Sequence, residues 1–339
     1  MSAAGNEVPA RSAPGSRRWP RLLLLVLGAA LALALPELID AYWLRIATGA
    51  LMWAGLACSW NIIGGYAGYI DFGHSAFFGI GAYASAILMG GAFGWPFAAT
   101  IPVGLLVAAG LAAVIGGPTL RLRGAYFAIA TWAFAEVLLQ LATVLEITGG
   151  TAGLSLPPFL DERFFYFAML AAAAATYALT WLLFERSRFG LKVKALRDHE
   201  EAAEAMGINT ASVKLQAFAL SAAIAAVFGS LYAYWVTFIN PRSVLGGDIT
   251  DQMVVMVLLG GLGSLWGPAL GAVGLFIVNR LFWMTWGDTT VYIAILGLAI
   301  IGVVLFLPNG IAGLFAPGST QHAGRALWRS LTRRPGGGR

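Results

Sequence analysis

A chain of 339 residues that is 59% hydrophobic and only 11% charged, with a mean hydropathy of +0.78, falls far below the roughly one-quarter charged content of water-soluble domains. That excludes a soluble globule, and apolar runs close to the roughly 20 residues a helix needs to cross hydrocarbon recur along nearly the whole length. The net charge of +5 reports orientation in a membrane rather than affinity for nucleic acid.

Lipid offers the backbone no hydrogen-bond partners, so spanning segments are helices or a closed barrel, and continuous apolar runs without alternation select helices. The expected fold class is all-α, a polytopic bundle of about ten transmembrane helices. In chain order these are a tail over 1–20 and spans at 21–39, 43–63, 74–92, 96–117, 125–147, 164–184, 215–237, 251–265, 267–286 and 290–307. The membrane part runs over 21–315, with a polar loop at 185–214, and a basic tail follows over 316–339. Arg17 and Arg18, followed by Leu22 to Leu35 and an Ala32-Leu33-Ala34 tripeptide, also fit a cleaved signal peptide, so the first span is either retained or removed. Gly260, Gly261, Gly263, Gly267 and Pro268 interrupt the stretch 251–286, which reads as two spans or as one re-entrant segment.

Lys and Arg concentrate in loops that stay in the cytoplasm. With both termini inside, 17 of the 21 basic residues fall on that side, leaving Arg45, Arg163, Arg242 and Arg280 near outer ends of spans. The polar loop is therefore expected to be cytoplasmic, in a multi-pass membrane protein.

No enzyme motif stands out. His74, His199 and His322 are too dispersed for a metal motif, and Cys58, the one cysteine, lies inside an apolar run. The phosphate-cradling GxxxxGK[ST] pattern is missing, so work driven by ATP would need another chain to hydrolyse it. Five places carry polar chemistry. The turn GGYAGYIDFGHSAFFGIGAY over 64–83 holds Asp71 and His74 between two spans, as a gate or proton relay or as a polar turn with solvated side chains. A second glycine-rich turn, GGLGSLWGPALGA over 260–272, contains Gly260, Gly261 and Gly263. Glu136 lies mid-span, with Gln140 one helical turn later on the same face. A carboxylate at that depth costs at least about 2.5–3.5 kcal/mol, so it should face the bundle or a wet cavity, either lining a path with Gln140 and Thr131 or joining helices. The loop TGGTAGLSLPP, opening the connection 148–160, is a partner surface or a plain connector.

The fifth place is the polar island 185–214. ALRDHEEAAEAM over 195–206 is rich in helix formers, and Gly207 is expected to stop it. Asp198, Glu200, Glu201 and Glu204 interleave with Ala202, Ala203 and Ala205, either as an exposed docking helix for a basic groove or as a solvated loop helix. Lys192, Lys194 and Arg197 are placed to act as anchors facing the lipid.

The motifs GYAGYIDFGHSAFFGIGAY (65–83), RLRGAYFAIATWAFAE (121–136), TGGTAGL (148–154), SRFGLKVKALRDHEEAAEAMGI (187–208), MVVMVLLGGLGSLWGPALGA (253–272) and LFLPNGIAGL (305–314) occur in one collinear order. Together they resemble the permease subunits of branched-chain amino-acid ABC importers, specifically the M-type membrane subunit. The resemblance implies a transporter subunit that is not itself an enzyme. It would work with a second permease, two cytoplasmic ATPases that bind ATP and Mg, and a periplasmic binding protein that delivers a small-molecule substrate. It also implies that Ala195, Leu196, Arg197, Asp198, Glu200, Glu201, Ala203, Glu204 and Gly207 form the segment that meets an ATPase. The chain departs from the family's usual pattern at Asp71, where Ser is more common, and at His199, where Asn is usual. Related permeases serve urea, short amides, aromatic acids or other amino acids. From another class, a secondary transporter with Glu136 as its proton carrier is the competing reading.

Overall fold

The computed structural model describes residues 28, 30–90, 93–122, 124–286, 297 and 310–314. Its helices are α1 (Ala41–Asn61), α2 (His74–Met89), α3 (Phe97–Thr119), α4 (Ala125–Val144), α5 (Glu162–Thr180), α6 (Arg188–Asp198), α7 (Glu200–Ala205), α8 (Thr210–Val236), α9 (Pro241–Leu245), α10 (Gly247–Gly260), α11 (Gly267–Trp286) and α12 (Gly310–Leu314). A π-type turn extends α1 over Ile62–Tyr66, and another extends α5 over Trp181–Glu185. The expected span 21–39 is helical over 30–38 in its described part, while the span at 290–307, apart from residue 297, and both tails lie outside the described residues. Each other expected span meets a helix. Among the described residues, six stretches are long and apolar enough to cross a membrane, with α9 and α10 counted as one, and α2 and α11 are shorter apolar helices. The count of ten is thus an approximation.

Two helices form the centre. α1 and α8 are buried over most of their length, whereas α3, α4 and α5 are largely exposed. α8 packs on α2 and α3, and α1 packs on α5, α11 and α8. Small residues make this possible, because close backbone approach is what holds helices together where burial against lipid gains little. A Cβ on Gly229 would lie 1.8 Å from the Phe78 carbonyl oxygen, and one on Gly81 would lie 1.9 Å from that of Ala226. The Ser230 hydroxyl donates to the Gly81 carbonyl at 2.9 Å across the same seam.

Helix starts follow local chemistry. Asp161 caps α5 by accepting from the amides of Arg163 and Phe164, Ser187 caps α6, and Asn209 caps α8. Asn240 and Ser243 form a reciprocal box around α9, with Pro241 in its first turn.

One feature departs from expectation, and a second falls within it. The connection after α4 is pinned: strand β1 (Leu154–Ser155) pairs antiparallel with β2 (Phe238–Ile239), so the all-α bundle carries a short ladder. The interruption near Gly260 is a tight turn between two packed helices. A Cβ on Gly260 would lie 2.0 Å from the Gly267 carbonyl oxygen, and one on Gly271 would lie 2.0 Å from that of Met256, so α10 and α11 touch through glycine.

Candidate functional site: a wired polar loop and a charged groove

At one end of the bundle the polar island closes over both glycine turns. The π-type turn after α1 carries Gly65, whose absent side chain leaves room for the Gly263 amide, 2.6 Å from where a Cβ would sit. Asn61 locks the two turns together: its Oδ1 accepts from the Gly263 amide at 2.9 Å, and its Nδ2 donates to the Ser264 carbonyl at 3.0 Å. The two glycine-rich turns are therefore in direct contact. Arg197 lies over both turns. Its Cγ is 3.2 Å from the Cβ position of Gly68, and its Nη1 is 2.1 Å from that of Gly263, so a side chain at Gly263 would displace the guanidinium and one at Gly68 would crowd its stem. Both glycines have positive φ, +80° and +71°, which a residue with a Cβ rarely adopts.

Two tyrosines bracket Gly68 and tie the island down further. Tyr66 donates to Glu185 at 2.9 Å, and Glu185 also pairs with Lys194 at 2.8 Å. Tyr69 donates to Glu200 at 2.8 Å. Glu200 pairs with the nearly inaccessible Lys214, whose ammonium lies over the Tyr69 ring.

The island differs from the sequence expectation in three ways. It is not one helix over 195–206: His199 is extended, with φ −154° and ψ 100°, and separates α6 from α7, while Gly207 at φ +81° ends the segment as expected. Leu196 and Ala203 are buried against the bundle, so they seat the island instead of touching a partner. Glu200 turns inward, and Glu204 accepts from Thr210 at 2.5 Å. Lys194 and Arg197 likewise serve protein contacts, not lipid. Asp198, Glu201 and Ala195 remain at least partly accessible, and the apolar side chains Leu191 and Met206 stand exposed beside them.

Asp71 and His74 are fully buried, which corrects the expectation of a solvated turn. Asp71 Oδ1 accepts from the Gly73 amide at 2.8 Å, its Oδ2 meets His74 Nδ1 at 3.0 Å, and His74 Nε2 meets the Ser59 hydroxyl at 3.1 Å. The Trp60 indole donates to the Asp71 carbonyl at 2.7 Å. A buried carboxylate persists only where its lone pairs and charge are satisfied, and this chain of partners supplies that. Thr131, expected beside Glu136, instead joins this turn. It is buried, its hydroxyl accepts from the Phe72 amide at 3.1 Å, and it leaves Glu136 to a different surface.

Glu136 is half-buried and accepts from Gln140 at 2.7 Å, as their spacing implies. It lines a groove of about 550 Å³ between α4 and the corner joining α9 to α10, together with Thr143, Thr151, Arg242 and Asp248. Sequence reading missed Arg242 and Asp248, because they approach Glu136 only through tertiary packing more than 100 positions away.

A multi-helix bundle of this kind, with a polar loop wired into its turns at one end and a charged groove reaching the other, is the membrane part of a transporter. The chain belongs to the family described as branched-chain amino acid transport system / permease component, whose model matches residues 42–307. It is 28% identical to the high-affinity branched-chain amino acid transport system permease protein LivM of Salmonella typhimurium, over 92% of this chain and 79% of that one. It is 30% identical to the Methanocaldococcus jannaschii protein described as a branched-chain amino acid transport permease LivM, over 68% of this chain and 79% of that one. Against LivH of Escherichia coli K12, a permease protein of the same transport system, identity is 27% over 77% of this chain and 91% of that one.

Proposed function

We propose that this chain is one of two related permease subunits of an ATP-driven importer of branched-chain amino acids, set in a bacterial inner membrane with the polar island and both termini in the cytoplasm. Similarity to both LivM and LivH supports pairing with a second permease. Two cytoplasmic ATPases supply the hydrolysis and bind the ATP and Mg, and a periplasmic binding protein delivers the solute; no cofactor is assigned to this chain.

The observation that carries the coupling role is the position of Arg197 against Gly68 and Gly263. An ATPase that grips Leu191, Asp198, Glu201 and Met206 and then moves would pull on both glycine turns through one side chain. Energy reaches the path in this way: the two conformations of the turns are biased by a partner that binds one of them better.

The test is recovery of the ATPase chains with the purified permease pair. Met206→Asp and Leu191→Asp are expected to release the ATPases while the second permease stays bound. Wild-type recovery in both variants would refute the docking role.

A further inference from the structure

The groove beside Glu136 holds charges of both signs. Arg242 is exposed, and among the described residues its guanidinium makes no hydrogen bond or ion pair. Asp248 opens α10 close by, and Glu136 faces the same space with its carboxylate steadied by Gln140. Gly246 and Gly247 line the groove at the start of α10, and a Cβ on Gly246 would lie 2.3 Å from Asp248 Oδ1, so the carboxylate of Asp248 packs over the first turn of this helix. Leu139 and the methyl groups of Thr143 and Thr151 supply apolar wall. The volume of about 550 Å³ lies within the range of small-molecule sites, roughly 300–1,000 Å³.

Each candidate solute class would meet this arrangement differently. A neutral amide or urea would gain little from unpaired charges. A simple carboxylic acid would find Arg242 but would face two carboxylates with nothing to offer them. A solute carrying a carboxylate and an ammonium on one carbon answers both poles at once, and planar bidentate pairing is what Arg offers a carboxylate.

We infer that this groove is a transit subsite for a zwitterionic amino acid, in which Arg242 takes the α-carboxylate and Glu136, oriented by Gln140, takes the α-ammonium. The inference rests on the importer reading and adds to it the residues that hold the solute inside the membrane. Its aliphatic side chain lies along Leu139.

The test uses the complete transporter in proteoliposomes, with labelled leucine delivered by saturating cognate binding protein and ATP enclosed. Wild type, Arg242→Gln, Arg242→Lys and Glu136→Gln are compared as assembled complexes of equal size. Loss of one charge-assisted contact is expected to lower the maximal rate about tenfold or more in Arg242→Gln and Glu136→Gln. Arg242→Lys, which keeps the charge but loses the planar fork, should fall between Arg242→Gln and wild type. Equal rates in all four proteins would overturn the subsite, and so would equal losses in Arg242→Gln and Arg242→Lys, because charge would then not be what matters. If wild-type uptake ran without ATP, the importer reading itself would fail, and that outcome is seen before any variant is compared.

Discussion

Replacing Glu200 with Gln removes one charge from the island while keeping its shape and an oxygen for Tyr69. The lysine it leaves behind is the reason the effect should be large: the Lys214 side chain is only 5% exposed, against 17% for Glu200. Without the carboxylate, the ammonium retains the Leu120 carbonyl at 3.4 Å and the face of Tyr69 at 4.9 Å. Stranding a buried charge costs about 3–5 kcal/mol, and these two remaining partners place the cost near the lower end, about 3 kcal/mol. Lys214→Met costs less, about 1–2 kcal/mol, since the carboxylate it leaves is the more accessible partner and keeps the Tyr69 hydroxyl. In the double variant neither charge remains, and a methionine stem of similar length fills the space of the lysine. Glu200→Gln combined with Lys214→Met should therefore be more stable than Glu200→Gln alone by about 2 kcal/mol. Reversible unfolding of the purified protein in mixed micelles by SDS titration measures this cycle. If the two single effects simply add, the buried pair does not hold the island, and the account of its wiring fails.

Other substitutions probe other joints. Gly229→Ala drives a methyl group to 1.8 Å from the Phe78 carbonyl oxygen, so α2 and α8 must part; overpacking of this kind costs about 1–3 kcal/mol or more, whereas Gly110→Ala, which has open space around it, should be neutral in the same unfolding assay. Asp71→Ala strands the Gly73 amide and a ring nitrogen of His74 in a site with no solvent access and should cost about 2–4 kcal/mol, while Asp71→Asn keeps an acceptor for the amide and should lose clearly less. Arg197→Ala removes the link to Gly68 and Gly263 without emptying the core. Uptake by the assembled complex is expected to fall at least about tenfold while ATP is still hydrolysed, and tight coupling in that variant would remove Arg197 from the lever.

The architecture was legible because lipid imposes a simple rule on the backbone, and apolar length alone locates α1, α3, α4, α5 and α8. Helix ends were legible where a cap or a glycine stands, as at Asn209 and Gly207. The island was visible as a break in hydropathy, and the spacing of Glu136 and Gln140 fixed their shared face. What stayed hidden depends on meetings between distant segments. Nothing in a sequence window says that Glu200 turns towards Tyr69, that Gly65 makes room for Gly263, or that Arg242 comes to the side of Glu136. The break at His199 escaped because most of 195–206 favours helix, and tertiary seating of Leu196 and Ala203 on the bundle overrides propensity. Asp71 escaped for the opposite reason. A charged residue in a glycine-rich turn ordinarily faces water, and only three-dimensional packing reveals the imidazole, hydroxyl and amide that allow it to be buried.

Energy source is the most direct test of the central claim. The complete transporter, reconstituted with its binding protein outside, is assayed for leucine accumulation with ATP enclosed, with a non-hydrolysable analogue enclosed, and with ATP plus a protonophore. Accumulation is expected with ATP alone and with ATP plus protonophore, and is expected to be lost with the analogue. Accumulation that persists with the analogue and collapses with the protonophore would contradict an ATP-driven importer and leave Glu136 as the carrier of protons.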